Sequence, residues 1–383
     1  MTVASARSAA DPRSVLTKSD PQARPLRVCI VAPSLAIVGG QSINAVRLME
    51  RLRDDPTLEI SFLPHDPQLP GLFRMLQRIK YVRTAVTSVA LLASLLRHLR
   101  RQDVVHVFSA SYWSFLLAPA PTILISRMYG KRVILNYRSG HAEDHITRFK
   151  RTALPIFRRA SHIVVPSGYL VDVFGKYGLN AEAIGNFVDL REIPYRRRRN
   201  IKPVFLTNRN FGRHYNVGCV LRAFAIIQRS RPDAKLIVAG DGEQRSMLHD
   251  LAKELGLENV EFLGQIAPDT MPALYDQVDV YLNSPNVDNM PNSVIESFAA
   301  GLPIVTTNAG GIPYIVAHNE TGMLVDCDDH ETMARYALQL LENPDQVEQM
   351  TDRGRNEVLT RYTWPAVHAA WLKAYGPAPT KSA

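Results

Sequence analysis

"VDVYLNSPNVDNMPNSVIESFAAGLPIVTT" (Val278–Thr307) decides how this chain is wound. Its ends, "VDVYLNS" (Val278–Ser284) and "PIVTT" (Pro303–Thr307), are short β-branched runs that read as buried strands, and the segment leading into Ala299-Ala300-Gly301 reads as a buried helix. Strand, helix, strand at this spacing is one unit of a parallel sheet wound with helices. Yet two carboxylates, Asp288 and Glu296, lie between the strands, with Pro291 and two small polar residues, Asn292 and Ser293, separating them. Polar groups between buried elements need a reason.

The same alternation runs along the whole chain. In the first half the expected strands are "RVCIVA" (27–32), "DVVHVF" (103–108), "RVILNY" (132–137), "HIVVPS" (162–167) and "AEAIGN" (181–186). In the second half they are "PVFLT" (203–207), "AKLIVAG" (234–240), "VEFLG" (260–264), "VDVYLNS", "PIVTT" and "GMLVD" (322–326). Between the halves, "REIPYRRRRNIKP" (191–203) has no period and carries a run of arginines, which marks a linker. At 383 residues the chain exceeds the usual size of one core. The fold class is therefore α/β, with two Rossmann-like domains facing each other and a ligand expected in the cleft outside the carboxyl ends of their strands. The expected order is a disordered tail over 1–26, an N-terminal domain over 27–190, the linker, a C-terminal domain over 204–360 and a last helix over 361–376.

Composition narrows the classes. A 46% hydrophobic, 21% charged chain is that of a soluble globular protein. Cys29, Cys219 and Cys327 are widely spaced in or beside apolar runs, which suits reduced core residues of a cytosolic protein rather than a zinc or disulfide framework. Net charge +9 points to an acidic partner: nucleic acid, an anionic membrane surface or a phosphorylated substrate. The longest apolar stretch, "AVTSVALLASLL" (85–96), is shorter than the ~20 residues that cross a bilayer, so no transmembrane helix is expected.

Several motifs sit on this frame. "IVGGQS" (37–42) follows the first strand and opens a helix with Ile43, Val46 and Met49 on its apolar side. Gly39 and Gly40 permit close approach of a ligand, or a plain tight turn. The spacing is not the dinucleotide fingerprint G-x-G-x-x-G, which counts against a dehydrogenase. Arg209 stands at the carboxyl end of "PVFLT", where its planar fork suits a diphosphate and where a solvated loop arginine would look the same. "AGDGEQ" (239–244) reads as a turn into a helix. Pro291 fits a first helical turn, leaving the N–H groups of Asn292 and Ser293 for an anion. Glu296 lies one turn on, on the same face, and leans toward that end. A carboxylate beside an anion pocket is favourable only if it accepts from hydroxyls, such as those of a ribose or sugar; Asp288 and Glu296 also fit a turn Asp and a surface Glu.

The run Asp288–Glu296, followed by "SFAAGLPIVTTNAGGIPYIVAHNETGMLVD" (297–326), resembles the signature of the GT-B retaining glycosyltransferases of family 4. "AGDGEQ", "NVEFLGQIAPDTMPALYDQVDVYL" (259–282), the N-terminal "GGQS" and the closing "YTWPAVHAAWLKAY" (362–375) extend the likeness from about residue 27 to 371. The resemblance implies that Glu296 binds ribose hydroxyls, Arg209 the diphosphate and Asp288 the donor sugar. It also implies that the N–H groups of Asn292 and Ser293, in the run with Asn289 and Met290, bind phosphate, that Gly39–Gly40 approach donor and acceptor, and that the backbone at Gly264–Gln265 meets the base. The implied activity is transfer of a sugar from a UDP- or GDP-linked donor to a hydroxyl of a glycan or lipid-linked acceptor. Neither metal nor cofactor is then needed, because the leaving diphosphate is stabilised electrostatically and can take the acceptor's proton.

Three departures stand out. Asp288 occupies a position where the family has Glu; His214 falls on the family's phosphate Lys, with Arg213 beside it; and where the family often has a His near the donor sugar, Arg138 is the positional match and His141 the chemical one. His141 and His145 also fit ordinary loop residues. For the acceptor, "PGLFRMLQRIKYVRT" (70–84) mixes apolar and basic residues as a membrane-surface helix does, and Arg196–Arg199 adds charge. The next segment, 85–101, reads as a crossover helix packed on the sheet. A cytoplasmic protein, peripheral on the inner membrane face and not bound to nucleic acid, is the expectation. The alternatives are a catalytically weak sugar-nucleotide-binding or membrane scaffold protein, and a nucleotide-sugar epimerase.

Overall fold

A computed structural model describes residues 24–34, 40–69, 79 and 82–377. The N-terminal half holds β1 (Leu26–Ala32), β2 (Leu58–Pro64), β3 (Val104–Ser109), β4 (Arg132–Tyr137), β5 (His162–Val165) and β6 (Ala181–Ala183) in the spatial order β2-β1-β3-β4-β5-β6. The C-terminal half holds β7 (Val204–Thr207), β8 (Lys235–Ala239), β9 (Val260–Gly264), β10 (Val280–Asn283), β11 (Ile304–Thr307) and β12 (Met323–Val325) in the order β12-β11-β10-β7-β8-β9. Every neighbouring pair is parallel.

Parallel strands need helices on both faces, so their side chains are apolar in both directions. On one face of the first sheet, Cys29, Val31, Val105, Val107, Val133 and Leu135 pack beneath Leu91 and Leu95 of the helix Val82–His98 and Ile123 of the helix Pro119–Met128. On the other, Val28, Ile30, Val104 and Ile134 meet Ala45, Leu48 and Leu52 of the helix Gly40–Arg53, with Val367, Trp371 and Tyr375 of the last helix, Trp364–Tyr375. The chain's end therefore completes the core of its beginning. Burial of Trp371, which is 1% exposed, contributes on the order of 5 kcal/mol of transfer free energy before entropy.

Several details depart from the sequence reading. β2 was not foreseen: it is a half-buried edge strand, and its alternating Glu59 and Ser61 mask the pattern. "AEAIGN" keeps strand geometry only over Ala181–Ala183. The helix Gly40–Arg53 buries Ala45, Leu48 and Leu52, whereas Ile43, Val46 and Met49 are half-buried at its flanks. Arg24 donates to Asp103 at 2.6 and 2.8 Å, so order begins before residue 27. Residues 1–23, Gly39 and all of 70–84 except Ile79 and Val82–Thr84 lie outside the described residues. Cys29 and Cys219 are buried, but Cys327 is exposed. Counted with the turn that extends it, Val82–Arg101 is 20 residues, long and apolar enough to cross a bilayer, although its inner face packs on the sheet.

The arginine run is not a loose tether. Arg198 is 1% exposed and donates to the carbonyls of Tyr275 at 2.6 Å, Val278 and Ala300. Burial lowers its pKa to about 10, which leaves it cationic at neutral pH. Arg196 pairs with Asp279 at 2.7 Å, while Arg197 and Arg199 reach Glu348. These residues strap the segment to the C-terminal half, with Arg197 and Arg199 keeping 68% and 67% of their side chains exposed. The two chain crossings lie side by side instead, where Val188 N–H donates to Tyr362 O at 2.9 Å and Val188 bridges Thr363.

Candidate active site

In an open parallel sheet, ligands bind where neighbouring strands send their connections in opposite directions. In the second sheet that place is between β7 and β10. Arg209 leaves the end of β7 and Asp288 follows the end of β10, so sequence separation disappears at the switch point. Arg209 donates through one terminal nitrogen to Asp288 and through the other to Ser293 Oγ at 3.1 Å, and its guanidinium lies 4.2 Å from the centroid of the Tyr215 ring. Burial alone disfavours its charge, but the Asp288 carboxylate and the oxygens of Tyr215, Tyr281 and Tyr275 outweigh that and raise its pKa above the ordinary value.

Two glycine motifs hold this pair in place. A Cβ on Gly240, in "AGDGEQ", would lie 2.1 Å from the carbonyl oxygen of Arg209. A Cβ on Gly311, in "AGGIPY", would lie 1.9 Å from the carbonyl oxygen of Asn289, and Gly311 N–H donates to Asp288 O at 3.0 Å. Both glycines are thus places where backbone must touch backbone. Asp288 further fixes its turn by accepting from Asn289 N–H at 2.7 Å.

The helix Asn292–Ala300 begins here, capped by Pro291, which sits one residue before the first turn rather than within it. Its first N–H groups have no intrahelical partners, and the helix dipole adds partial positive charge. Glu296, one turn in, accepts from Tyr275 Oη at 2.8 Å, and Asn208 donates to that same oxygen at 2.8 Å. Across the cleft, Arg47 of the helix Gly40–Arg53 reaches Glu296 at 3.3 Å, and Asn292 donates to Asn44 at 3.0 Å. Asn186 donates to Met290 O at 3.0 Å and to Asn292 Oδ1 at 2.6 Å, and accepts from Arg138.

These groups line a cleft of about 650 Å³ between the halves. Among the residues singled out from sequence, Arg138, His141, Arg209, His214, Gln265, Asp288, Asn289, Met290, Asn292, Ser293 and Glu296 all line it. Gly40 starts the helix whose Gln41, Asn44 and Arg47 line it. Gly264 is set back, its carbonyl accepting from Gly240 N–H at 2.7 Å. His141 and His214 stand 6.4 Å apart by ring centroid, and burial, with His141 and Arg209 nearby, lowers the pKa of His214. Burial lowers Arg138 to about 10. His145 is not a cleft residue: it is fully buried, 2.9 Å from Tyr137 Oη, and burial lowers it to about 4.

Sequence reasoning missed Asn44, Arg47, Asn186, Asn208 and Tyr275. Gln41, Asn44 and Arg47 share one helical face, a signal that was available; Asn186 and Tyr275 were hidden at the end of a strand and inside an apolar helix. Asn208 Oδ1, Arg209 Nε and Asn289 Nδ2 are buried, line the cleft and have no hydrogen-bond partner. Buried polar atoms are rarely left so, and a polar ligand satisfies them. Among the described residues, no three His, Cys, Asp or Glu side chains cluster as metal ligands.

Residues 192–357 match the family model described as Glycosyl transferases group 1. Curated relatives include the lipopolysaccharide core biosynthesis glycosyltransferase LpsE of Rhizobium meliloti (strain 1021), 32% identical over 149 residues, or 39% of this chain and 43% of that protein. Another is the GDP-mannose-dependent alpha-(1-6)-phosphatidylinositol monomannoside mannosyltransferase of Mycobacterium tuberculosis (strain CDC 1551 / Oshkosh), 30% identical over 158 residues, 39% of this chain and 41% of that protein. The chain thus spans about two-fifths of the length of the curated relatives it matches. Similar solved structures include Anabaena HepE in complex with UDP-glucose, with TM-score 0.71 and 17% identity over 90% of this chain and 98% of that one. Sucrose-phosphate synthase from Thermosynechococcus elongatus gives TM-score 0.70 and 16% identity over 91% and 98%. The fold is GT-B, and its C-terminal half carries the segment that matches the glycosyl transferases group 1.

Proposed function

We propose that this protein is a retaining glycosyltransferase of family 4 that moves a sugar from a nucleotide-sugar donor to a hydroxyl of a glycan or lipid-linked acceptor. The observation that carries the reading is the junction of Arg209, Asp288, Ser293 and Glu296 at the start of the helix Asn292–Ala300, facing the other half across the cleft. Arg209 and the helix N-terminus meet the diphosphate; Glu296 accepts from the ribose hydroxyls, held by Tyr275; Asp288 orients the donor sugar. As the bond from the anomeric carbon to phosphate oxygen breaks, its electron pair goes to the diphosphate, where Arg209 stabilises the growing charge without a metal. The acceptor hydroxyl attacks from the face being vacated, and its proton passes to a diphosphate oxygen. Arg138 and His141 border this space from the N-terminal half, and His214 takes the side of the Lys it replaces.

UDP in one similar structure and GDP-mannose in one relative's name make both bases candidates. The test is release of nucleoside diphosphate from a panel of UDP- and GDP-sugars, with and without membrane extract. Diphosphate formation with sugar transferred to an extractable acceptor supports the reading. Tight donor binding with no turnover would instead support a sugar-nucleotide-binding scaffold, the reading that His214 and Asp288 favour, and sugar isomerisation without an acceptor would indicate an epimerase.

A further inference from the structure

The helix Val82–His98, its extension through Arg101 and the helix Pro119–Met128 form adjacent parts of one layer on the first sheet. Tyr129 Oη donates to Leu96 O at 3.2 Å, and Arg100 lies over the Tyr129 ring, so the ends of the two helices meet. Inward, Leu91, Leu95, Leu99 and Ile123 are in the core. Outward, the layer does not become polar in the usual way. Val89, Leu92, Leu96, Leu124 and Met128 are exposed, Val89 at 66% and Met128 at 64%, and Trp113, on the short helix Tyr112–Leu117 between them, is 70% exposed.

On the two helices the charges have one sign, and the half-exposed acids Glu143 and Asp144 lie at the Trp113 end, where Tyr112 donates to Asp144 at 2.6 Å. Arg97, Arg100, Arg101 and Arg127 are exposed. Residues 82–102 and 104–142 contain no Asp or Glu, and Asp103 between them is engaged by Arg24 and Arg27. An apolar surface of this kind marks a docking site. Its basic surround disfavours a second copy of the same chain, since two such faces would bring like charges together. It complements an anionic lipid surface, where apolar side chains enter the headgroup boundary, arginines meet phosphates and an exposed Trp is favoured. The packed inner face argues for lying on the bilayer rather than crossing it, because a spanning Val82–Arg101 would have to withdraw Leu91, Leu95 and Leu99 from the core.

We propose that this outer face of the N-terminal half, Val89 to Met128, docks on an anionic membrane surface. The inference uses surface chemistry alone and stands apart from the glycosyl-transfer reading. Co-sedimentation of the full chain with phosphatidylcholine vesicles, with and without phosphatidylglycerol, at low and high salt, tests it. Binding is expected only with phosphatidylglycerol and to weaken with salt. The combined variant Arg97→Gln, Arg100→Gln, Arg127→Gln should bind about a hundredfold more weakly, at roughly fivefold per charge, and Leu92→Ser with Leu96→Ser should also lose binding. Calorimetric binding of UDP or GDP should stay as in the parent, since none of these positions lines the cleft, while Glu296→Ala should retain vesicle binding. No binding to anionic vesicles, or equal binding by parent and variants, overturns the proposal. So does a dimer in light scattering that the Leu→Ser changes dissociate, which would assign the face to a second copy.

Discussion

Asp288→Ala should change stability, diphosphate affinity and turnover in different directions. In the ligand-free protein Asp288 holds Arg209, and the two side chains are only 13% and 10% exposed. Removing one partner of a fully buried ion pair costs about 3–5 kcal/mol. Here the cleft admits water and Arg209 keeps Ser293 and the Tyr215 ring, so a loss of about 1–3 kcal/mol is expected. A diphosphate, however, must take Arg209 from Asp288. A hydrogen bond to a charged group is worth roughly 1.5–3 kcal/mol, and removing half of that competition tightens binding by about three- to tenfold. Turnover should fall on the order of a hundredfold if the sugar loses its anchor and shifts by about 1 Å. Titration calorimetry with UDP and GDP, thermal unfolding with and without the tighter of them, and initial rates with the matching sugar nucleotide read all three. Arg209→Ala is the control, and it should lose diphosphate binding outright. If Asp288→Ala weakens diphosphate binding, the two groups do not compete for one guanidinium and the argument fails.

Glu296→Ala should weaken both the nucleotide sugar and the free diphosphate by about 1.5–3 kcal/mol, whereas Arg47→Ala, which removes only the ligand-free partner of Glu296, should not weaken either; calorimetry on the pair separates these roles. Gly311→Ala should cut turnover while leaving the fold cooperative in urea unfolding, since its Cβ would meet Asn289 O at 1.9 Å and push the Asp288 turn out of place; unchanged rates would show that the turn tolerates the shift. His106 and His145 are fully buried, and burial lowers them to about 3 and about 4. The unfolded chain therefore takes up protons first, and stability, complete above the ordinary histidine value, should fall as pH drops from about 6.5 toward 4. The limiting slope is roughly 1.4 kcal/mol per pH unit per histidine. Urea midpoints between pH 7 and 5 check this, and a flat profile contradicts it.

What was legible in the sequence was mostly local. β7, β10 and β11 and the helix Asn292–Ala300 could be read because buried parallel strands are continuous apolar runs and because the polar interlude between them has no role in packing. Arg209 could be found because it follows a strand's carboxyl end, where chemistry is placed by the fold, whereas Asp288 and Glu296, which also fit a turn Asp and a surface Glu, took their roles from the resemblance of the motif that holds them. The edge strand β2 is half-solvated, so its pattern is weak. Arg47 and Glu296 are 249 residues apart, and Asn186 and Asn292 are 106 apart. Such pairs follow from how two domains face each other, which no window of sequence contains. Arg196 and Arg198 show the converse: within a run that looks solvated, they are committed to Asp279 and to buried carbonyls.

The cleft contacts also bear on how the halves move. Asn44, Arg47 and Asn186 of the N-terminal half hold Asn292 and Glu296, the residues that the proposed donor would engage. Arg209 is held in the same way by Asp288. Binding is then an exchange of protein–protein for protein–ligand bonds, and the net affinity is a difference between similar terms. The exchange is coupled to domain position, because a ligand that takes Glu296 and Asn292 releases part of the grip between the halves. With residues 196–199 strapped to the C-terminal half, the place left to absorb rotation is the pair of crossings at Val188 and Tyr362–Thr363. A ligand can shift that equilibrium only by its differential affinity for the two arrangements. Closure on the donor therefore requires Asn44 or Asn186 to find in the ligand what they give up in the protein.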